Sequence, residues 1–382
     1  MRLLLSFFLV SLVSGCQWMK PGAGGSPVAV SATPAVIDGQ KPKIDRDVDP
    51  KLATTEPESE LDWFDAKEFL VEGKGWPDTN GPWERLPARA EWTVTPAVWN
   101  LSKQTAGISV RFITDSRILG AAWDGGEAMN HMAATGVSGL DLYRRTASGW
   151  EFAAVGRPKP ERTVATLLKD QERTPVEYLL FLPLYQKVTD LKIGVEKSAI
   201  LGAPAKRTTK PIVFYGTSIT QGGCASRTGM CHTALLSRWL DREVINLGFS
   251  GAGKMEPAMA DLLGEIDTDL YVLDAVPNMT PELVEERAAD FVRRLRNYKP
   301  ETPILLVENP SEWRKNTSNI KLREAFATLQ KEGVKNITLM SADVLEPGPE
   351  EATVDGVHPT DLGFYRYALA FEPRVKALLP KK

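Results

Sequence analysis

Three histidines occur in a chain of 382 residues, and the last of them stands in Asp355-Gly356-Val357-His358-Pro359 near the C-terminus. About 140 residues earlier, Phe214-Tyr215-Gly216-Thr217-Ser218-Ile219-Thr220 places a serine just past a short apolar run. A serine hydroxyl needs a neighbouring base before it can attack an acyl carbon, and imidazole is the usual base near neutral pH. So few imidazoles make the choice of base narrow. Ser218 as nucleophile and His358 as general base form one consistent reading, with Asp355 holding the imidazole tautomer and stabilising the imidazolium. The other two imidazoles have blander uses. His232 follows Cys231 at the start of a helical stretch and suits packing better than substrate contact. His131, in Asn130-His131-Met132, belongs to the first half of the chain and lines the cleft only if that half caps the site. No His, Cys, Asp and Glu residues cluster at metal-ligand spacing, so metal-independent, cofactor-free chemistry is expected.

These residues need elements to position them. After residue 210, strand-like runs 211–215, 244–247, 270–273, 304–307 and 337–339 alternate with helix-like stretches 232–240, 256–263, 281–298, 318–332 and 362–377. Apolar strands alternating with helices predict a doubly wound parallel sheet. Its ligand site lies off the carboxyl ends of the strands. Ser218, Gly248 and Asn278 each follow a predicted strand and should share one rim. Thr280-Pro281 reads as an N-cap and first helical residue. Gly248-Phe-Ser-Gly-Ala-Gly253-Lys254-Met255 imitates a phosphate-binding loop, but Met255 stands where a magnesium-binding hydroxyl is needed.

Residues 61–201 read differently. Short alternating runs such as Ile108–Ile113, Leu140–Arg144, Glu177–Leu182 and Leu191–Val195, broken by turn residues, predict an antiparallel β-sandwich or jelly roll. Seven tryptophans fall here (63, 76, 83, 92, 99, 123 and 150). Most suit the core, and one or two remain open to stacking on sugar. Residues 202–210 read as a polar hinge, and 17–60, rich in Pro, Gly, Ala and Ser, as a disordered tether.

Met1-Arg2 and the apolar run Leu3–Val13 are too short to span a bilayer and end in Ser14-Gly15-Cys16. Residues 1–16 therefore read as an export signal. Val13-Ser14-Gly15-Cys16 resembles the bacterial lipobox, which implies diacylation of Cys16 and a cell-envelope location; an ordinary signal peptide is the alternative. Membrane contact is then expected only through that lipid. Cys224 and Cys231 could pair in an oxidising compartment or stand as two buried thiols. A net charge of -3 gives no basic face for nucleic acid. Nothing in the sequence sets an oligomeric state.

Gly216-Thr217-Ser218, Asn246-Leu247-Gly248, Pro277-Asn278-Met279 and Asp355-x-x-His358 occur in the order of the SGNH, or GDSL, hydrolase superfamily, which the C-terminal segment 210–382 resembles. Threonine replaces the usual aspartate before the serine. The resemblance assigns the oxyanion hole to the Ser218 N–H, the Gly248 N–H and the Asn278 side-chain amide. Gly139-Leu-Asp141-Leu-Tyr143 is similar to the Gly-x-Asp-Leu-Tyr motif of the β-domain that precedes acetylhydrolase-like members. Together these imply a serine esterase acting on a small acyl ester or acetylated carbohydrate. The alternatives are a lipid-directed esterase and a non-catalytic glycan-binding surface protein. The second has no reason to keep Ser218, Asp355 and His358 together.

Overall fold

The structure, a computed structural model, describes residues 42–310, 317–345 and 351–381. Cys16, the expected export signal and the first part of the expected tether lie outside the described residues.

The first half builds two antiparallel sheets. One has seven strands, with Ser109–Thr114 between Leu201–Pro204 and Val176–Phe181, and Leu140–Thr146 and Gly149–Gly156 beyond. The other has four, in the order Asp62–Asp65, Leu191–Val195, Leu119–Asp124, Arg162–Leu168. Alternation decides what each strand turns inward. Val110 and Phe112 join Leu142, Leu180, Trp123 and Ile193 in the core between the sheets. Arg111, between Val110 and Phe112, enters a buried ion network with Glu72 and Glu177 instead. Five of the seven tryptophans are buried, whereas Trp92 is 85% exposed and Trp150 lies under the Arg145 guanidinium.

The second half is a five-stranded parallel sheet in the order Val244–Gly248, Ile212–Gly216, Leu270–Asp274, Ile304–Val307, Ile337–Met340. Both faces are covered, as the continuous apolar strands require. Tyr215, Leu247 and Leu273 meet Met259, Leu263 and Phe291 on one face. Phe214, Val272 and Val307 meet Leu236, Phe364 and Phe371 on the other. The helix Pro281–Tyr298 starts as its sequence predicts, with the Thr280 side chain accepting from the Leu283 N–H.

Two expectations about the connections fail. The tether does not extend to residue 60: Ile44–Asp47 forms a strand on Leu201–Pro204, Val48 is buried, and buried Glu56 pairs with Arg162 and Lys192. Strand pairing and one shielded carboxylate outweigh a composition that lacks apolar periodicity. Nor is 202–210 a hinge. Its first residues finish a strand, and Arg207 is buried between Glu72 and Asp241, fastening the halves together.

The β-sandwich sequence also reaches into the second half. Trp76, Leu86, Val98 and Trp99 join the core beneath the parallel sheet. From the same excursion Arg85 is buried against the outer strand, donating to Asn246 O at 3.2 Å and Gly248 O at 2.7 Å. The Gly-x-Asp-Leu-Tyr motif grips the other side of the junction. Asp141 accepts from Arg227 at 2.6 Å and from the Gly229 N–H at 2.8 Å, and Tyr143 also accepts from Arg227. Burial pushes the Asp141 carboxyl above its ordinary range, opposed by Arg227 and the Gly229 N–H.

Candidate active site

Ser218 opens the short helix Ser218–Gln221 two residues after a central strand ends at Gly216. Thr217 is extended at the N-cap, and its hydroxyl accepts from the Ile219 N–H at 3.2 Å. This leaves the Ser218 N–H as one of the unpaired donors that every helix start exposes. The Ser218 hydroxyl lies 2.8 Å from His358 Nε2, and His358 Nδ1 lies 2.7 Å from Asp355 Oδ2. The structure thus brings together the three residues that sequence spacing singled out.

The Asp355–His358 pair is built locally. Asp355 Oδ1 accepts from the Val357 N–H at 3.0 Å and the His358 N–H at 2.8 Å, an Asx-type turn with Gly356 at φ 86°. Partial burial pushes the Asp355 carboxyl upward. The His358 and Val357 N–H groups and the imidazole outweigh it and hold the pKa at about 2. Asp355 is therefore ionised throughout the range in which the imidazole can act as base.

The oxyanion side departs from expectation at Gly248. Its N–H donates to Asn246 Oδ1 at 2.9 Å, and its carbonyl accepts from Arg85. Both backbone groups are taken, so Gly248 cannot offer a donor to an acyl oxygen. Glycine is required there for packing: a Cβ would stand 2.1 Å from the Gln221 backbone nitrogen. In the following loop Phe249 N donates to Gly216 O, Ser250 N to Gln221 Oε1, and Ala252 N and Gly253 N to Phe249 O. Lys254 N and Met255 N are likewise bound, to Glu256 and Tyr215. Among residues 248–255, Gly251 alone has an N–H without a partner; it is exposed at φ +67°, with open space where a Cβ would stand. The block Asn246-Leu-Gly248-Phe-Ser-Gly251 holds two glycines, and the unpartnered N–H belongs to Gly251, not to the expected Gly248.

Asn278 is placed against this loop, its Nδ2 within 3.1 Å of Gly253 O and 3.3 Å of Phe249 O. An acyl oxygen would have to take one of these N–H bonds from a loop carbonyl. Behind the loop, Arg85 also donates to Leu101 O and Gln104 O and lies 4.7 Å from the Phe249 ring centroid. Burial pulls its guanidinium pKa down to about 9, which leaves it charged at neutral pH. A second brace runs from Gln104 Oε1 through Gln221 to the Ser250 N–H.

The remaining notable residues divide cleanly. His232 is fully buried among Phe214, Phe364, Tyr367 and Phe371, and burial lowers its pKa to about 3, so it is a neutral packing residue. His131 stands beside the site, its ring centroid 6.3 Å from that of His358. Cys224 and Cys231 are both buried free thiols, and burial raises the Cys224 pKa to about 11.

Comparison with known proteins gives this geometry a family. The sequence model of the GDSL-like Lipase/Acylhydrolase family matches residues 209–376, and that of the N-terminus of Esterase_SGNH_hydro-type matches residues 61–201. No curated protein sequence matches the chain. A solved structure described as a GDSL-like lipase from Bacteroides ovatus is 34% identical, covering 83% of this chain and 98% of its own, with a TM-score of 0.79. Two others share the fold. The salicylyl-acyltransferase SsfX3 from a tetracycline biosynthetic pathway is 20% identical over 85% of this chain and 96% of its own, with a TM-score of 0.66. A family two carbohydrate esterase from Cellvibrio japonicus is 16% identical over 72% and 89%, with a TM-score of 0.52. With an antiparallel β-domain fastened to an SGNH-type parallel sheet and this degree of likeness, the chain belongs to the GDSL-like lipase/acylhydrolase family of carboxylic ester hydrolases.

Proposed function

We propose that the protein is an exported serine esterase, anchored in the bacterial envelope through Cys16, that removes acetyl or other short acyl groups from carbohydrate. The observation that carries the reading is the hydrogen-bonded series from the Ser218 hydroxyl through His358 to ionised Asp355. Ser218 Oγ attacks the ester carbonyl as His358 Nε2 accepts its proton. The tetrahedral intermediate collapses by breaking the bond to the alcohol oxygen, and His358 returns the proton to that oxygen. Water, deprotonated by His358, then attacks the acyl-enzyme and releases the carboxylic acid and free Ser218.

The negative charge that develops on the acyl oxygen needs fixed donors. Ser218 N–H, Gly251 N–H and one Asn278 Nδ2–H are assigned here to that task, Gly251 replacing Gly248. The fold shared with a family two carbohydrate esterase supports the carbohydrate reading. The lipid-directed alternative draws on Val354 and Val357, which flank Asp355 and are 46% and 41% exposed.

Ser218→Ala tests the mechanism. Hydrolysis of p-nitrophenyl acetate should fall by roughly 10⁴-fold or more while the thermal midpoint stays within ~2 °C. Retained activity would sink the proposal. An ester series on the wild-type protein separates the two substrate readings: loss of turnover beyond butyrate supports the short-acyl enzyme, and a rise with chain length supports the lipid one.

A further inference from the structure

His131 comes from the β-domain, yet its ring is tilted 53° against that of His358 at a centroid distance of 6.3 Å. The loop that carries it is well held. Met129 and Met132 form a β-bridge around it, and Met132 is buried with Leu184, Tyr185 and Ala225. Just beyond, the Thr135 hydroxyl donates to Ser226 O, and Leu184 N and Tyr185 N donate to Gly136 O and Val137 O. Tyr185 in turn donates through its hydroxyl to Ser218 O at 3.3 Å. His131 is therefore an exposed imidazole on a fixed support beside His358.

Its protonation pattern follows from its neighbour. His131 Nδ1 lies 2.8 Å from Asn130 Oδ1, an oxygen that can only accept. In the tautomer that this contact favours, Nδ1 carries the proton and Nε2 keeps its lone pair. Among the described residues Nε2 has no partner. What it can bind is a hydrogen-bond donor.

The reaction geometry says which half of the substrate is nearby. His358 returns its proton to the leaving oxygen, so the alcohol half of the ester must lie against His358. The carbonyl oxygen turns instead toward the donors assigned above to the developing negative charge. A group beside the His358 ring therefore meets the alcohol, and a ring separation of this size suits a hydroxyl one carbon away from the esterified oxygen. We propose that His131 is a specificity-determining residue, its Nε2 accepting a hydrogen bond from a hydroxyl vicinal to the ester on a polyhydroxy leaving group of the carbohydrate type. The inference rests on the Ser218–His358 mechanism and adds to it the chemistry of the alcohol. A long-chain alkyl or lipid alcohol without such a hydroxyl gains nothing from this contact.

Two acetates that differ by one hydroxyl isolate the effect: trans-2-hydroxycyclohexyl acetate and cyclohexyl acetate. The readout is the ratio of their kcat/KM values. In the wild-type enzyme the ratio favours the hydroxy ester, and in His131→Ala it falls about 5- to 10-fold, the worth of one hydrogen bond. His131→Gln, which keeps an acceptor oxygen, restores part of the preference, and unchanged thermal midpoints show that both variants are folded. A wild-type ratio of one, or the same ratio in wild type and His131→Ala, overturns the proposal. Ser218→Ala distinguishes the two levels: an active Ser218→Ala enzyme defeats the mechanism itself, whereas an inactive one beside an unchanged ratio defeats only the role of His131.

Discussion

The proposed base side and the proposed oxyanion side of Ser218 are held by different kinds of contact. Asp355 and His358 sit three residues apart in one turn, with side chains 44% and 25% exposed, and their supporting bonds come from within residues 353–359. The loop carrying Gly251 is held from far away in sequence. Arg85 and Gln104 arrive from the β-domain, Gln221 from the nucleophile helix and Asn278 from the next strand's end. The base must accept a proton, give it back and remain accessible to water. The oxyanion donors must not move at all, because preorganisation is what makes them effective. Local turns suit the first task, and buried long-range bonds suit the second.

The largest effect that tests this contrast is chemical. His358→Gln should lower kcat by roughly 10⁴-fold or more yet change stability by no more than about 0.5 kcal/mol, measured by steady-state kinetics beside denaturant unfolding. A large loss of stability would show that the base turn is more than local. Arg85→Met should do the reverse in proportion. It leaves four backbone carbonyls without their donor, so stability should fall by about 2–4 kcal/mol. In the folded variant kcat should fall by roughly 10- to 100-fold with KM little changed, as expected for loosened transition-state donors. If kcat survives intact, Arg85 holds the junction without governing the loop.

The smallest effect lies in the junction itself. Glu243 accepts from the Gly73 N–H at 2.7 Å beside Glu72, Arg207 and Arg111. Burial raises its pKa to about 7, reinforced by Glu72 and opposed by the Gly73 N–H and the two arginines. Folded protein holds this proton where unfolded chain, with a carboxyl near its ordinary value, has released it. The stabilisation is thus complete below about pH 4.5 and lost as pH rises through about 7. Glu243→Gln, which keeps the acceptor, should raise the thermal midpoint at pH 8 by ~2–5 °C and leave it unaltered at pH 4. An equal rise at both values would place the effect elsewhere.

The same division explains what could be read from the sequence. Asp355-x-x-His358 is legible because its bonds close within one turn, and the strand–helix alternation after residue 210 is legible because one period repeats five times. Thr280-Pro281 is legible as a local cap. Gly248 was misread because its neighbour Asn246 consumes its N–H, a bond that no spacing rule exposes. Gly251 emerges only when each loop donor is followed to its acceptor. Ile44–Asp47 and Arg207 were misread for a related reason: a short edge strand and a buried arginine look polar and irregular until their partners, Leu201–Pro204 and Glu72, are in place. His131 carries no local signal; only the tertiary fold sets it beside His358.

Arg85 has one more consequence, for how the chain can be divided. Val244–Gly248 is an outer strand of the parallel sheet, paired on one side only. Its free carbonyls at Asn246 and Gly248 are covered by a guanidinium from the other half of the chain. Removing the β-domain would uncover that edge, a ready template for pairing with a second chain. The β-domain therefore covers a strand edge of the hydrolase half that would otherwise stand open. Any shortened form that begins near residue 209 is expected to be limited by solubility before it is limited by chemistry.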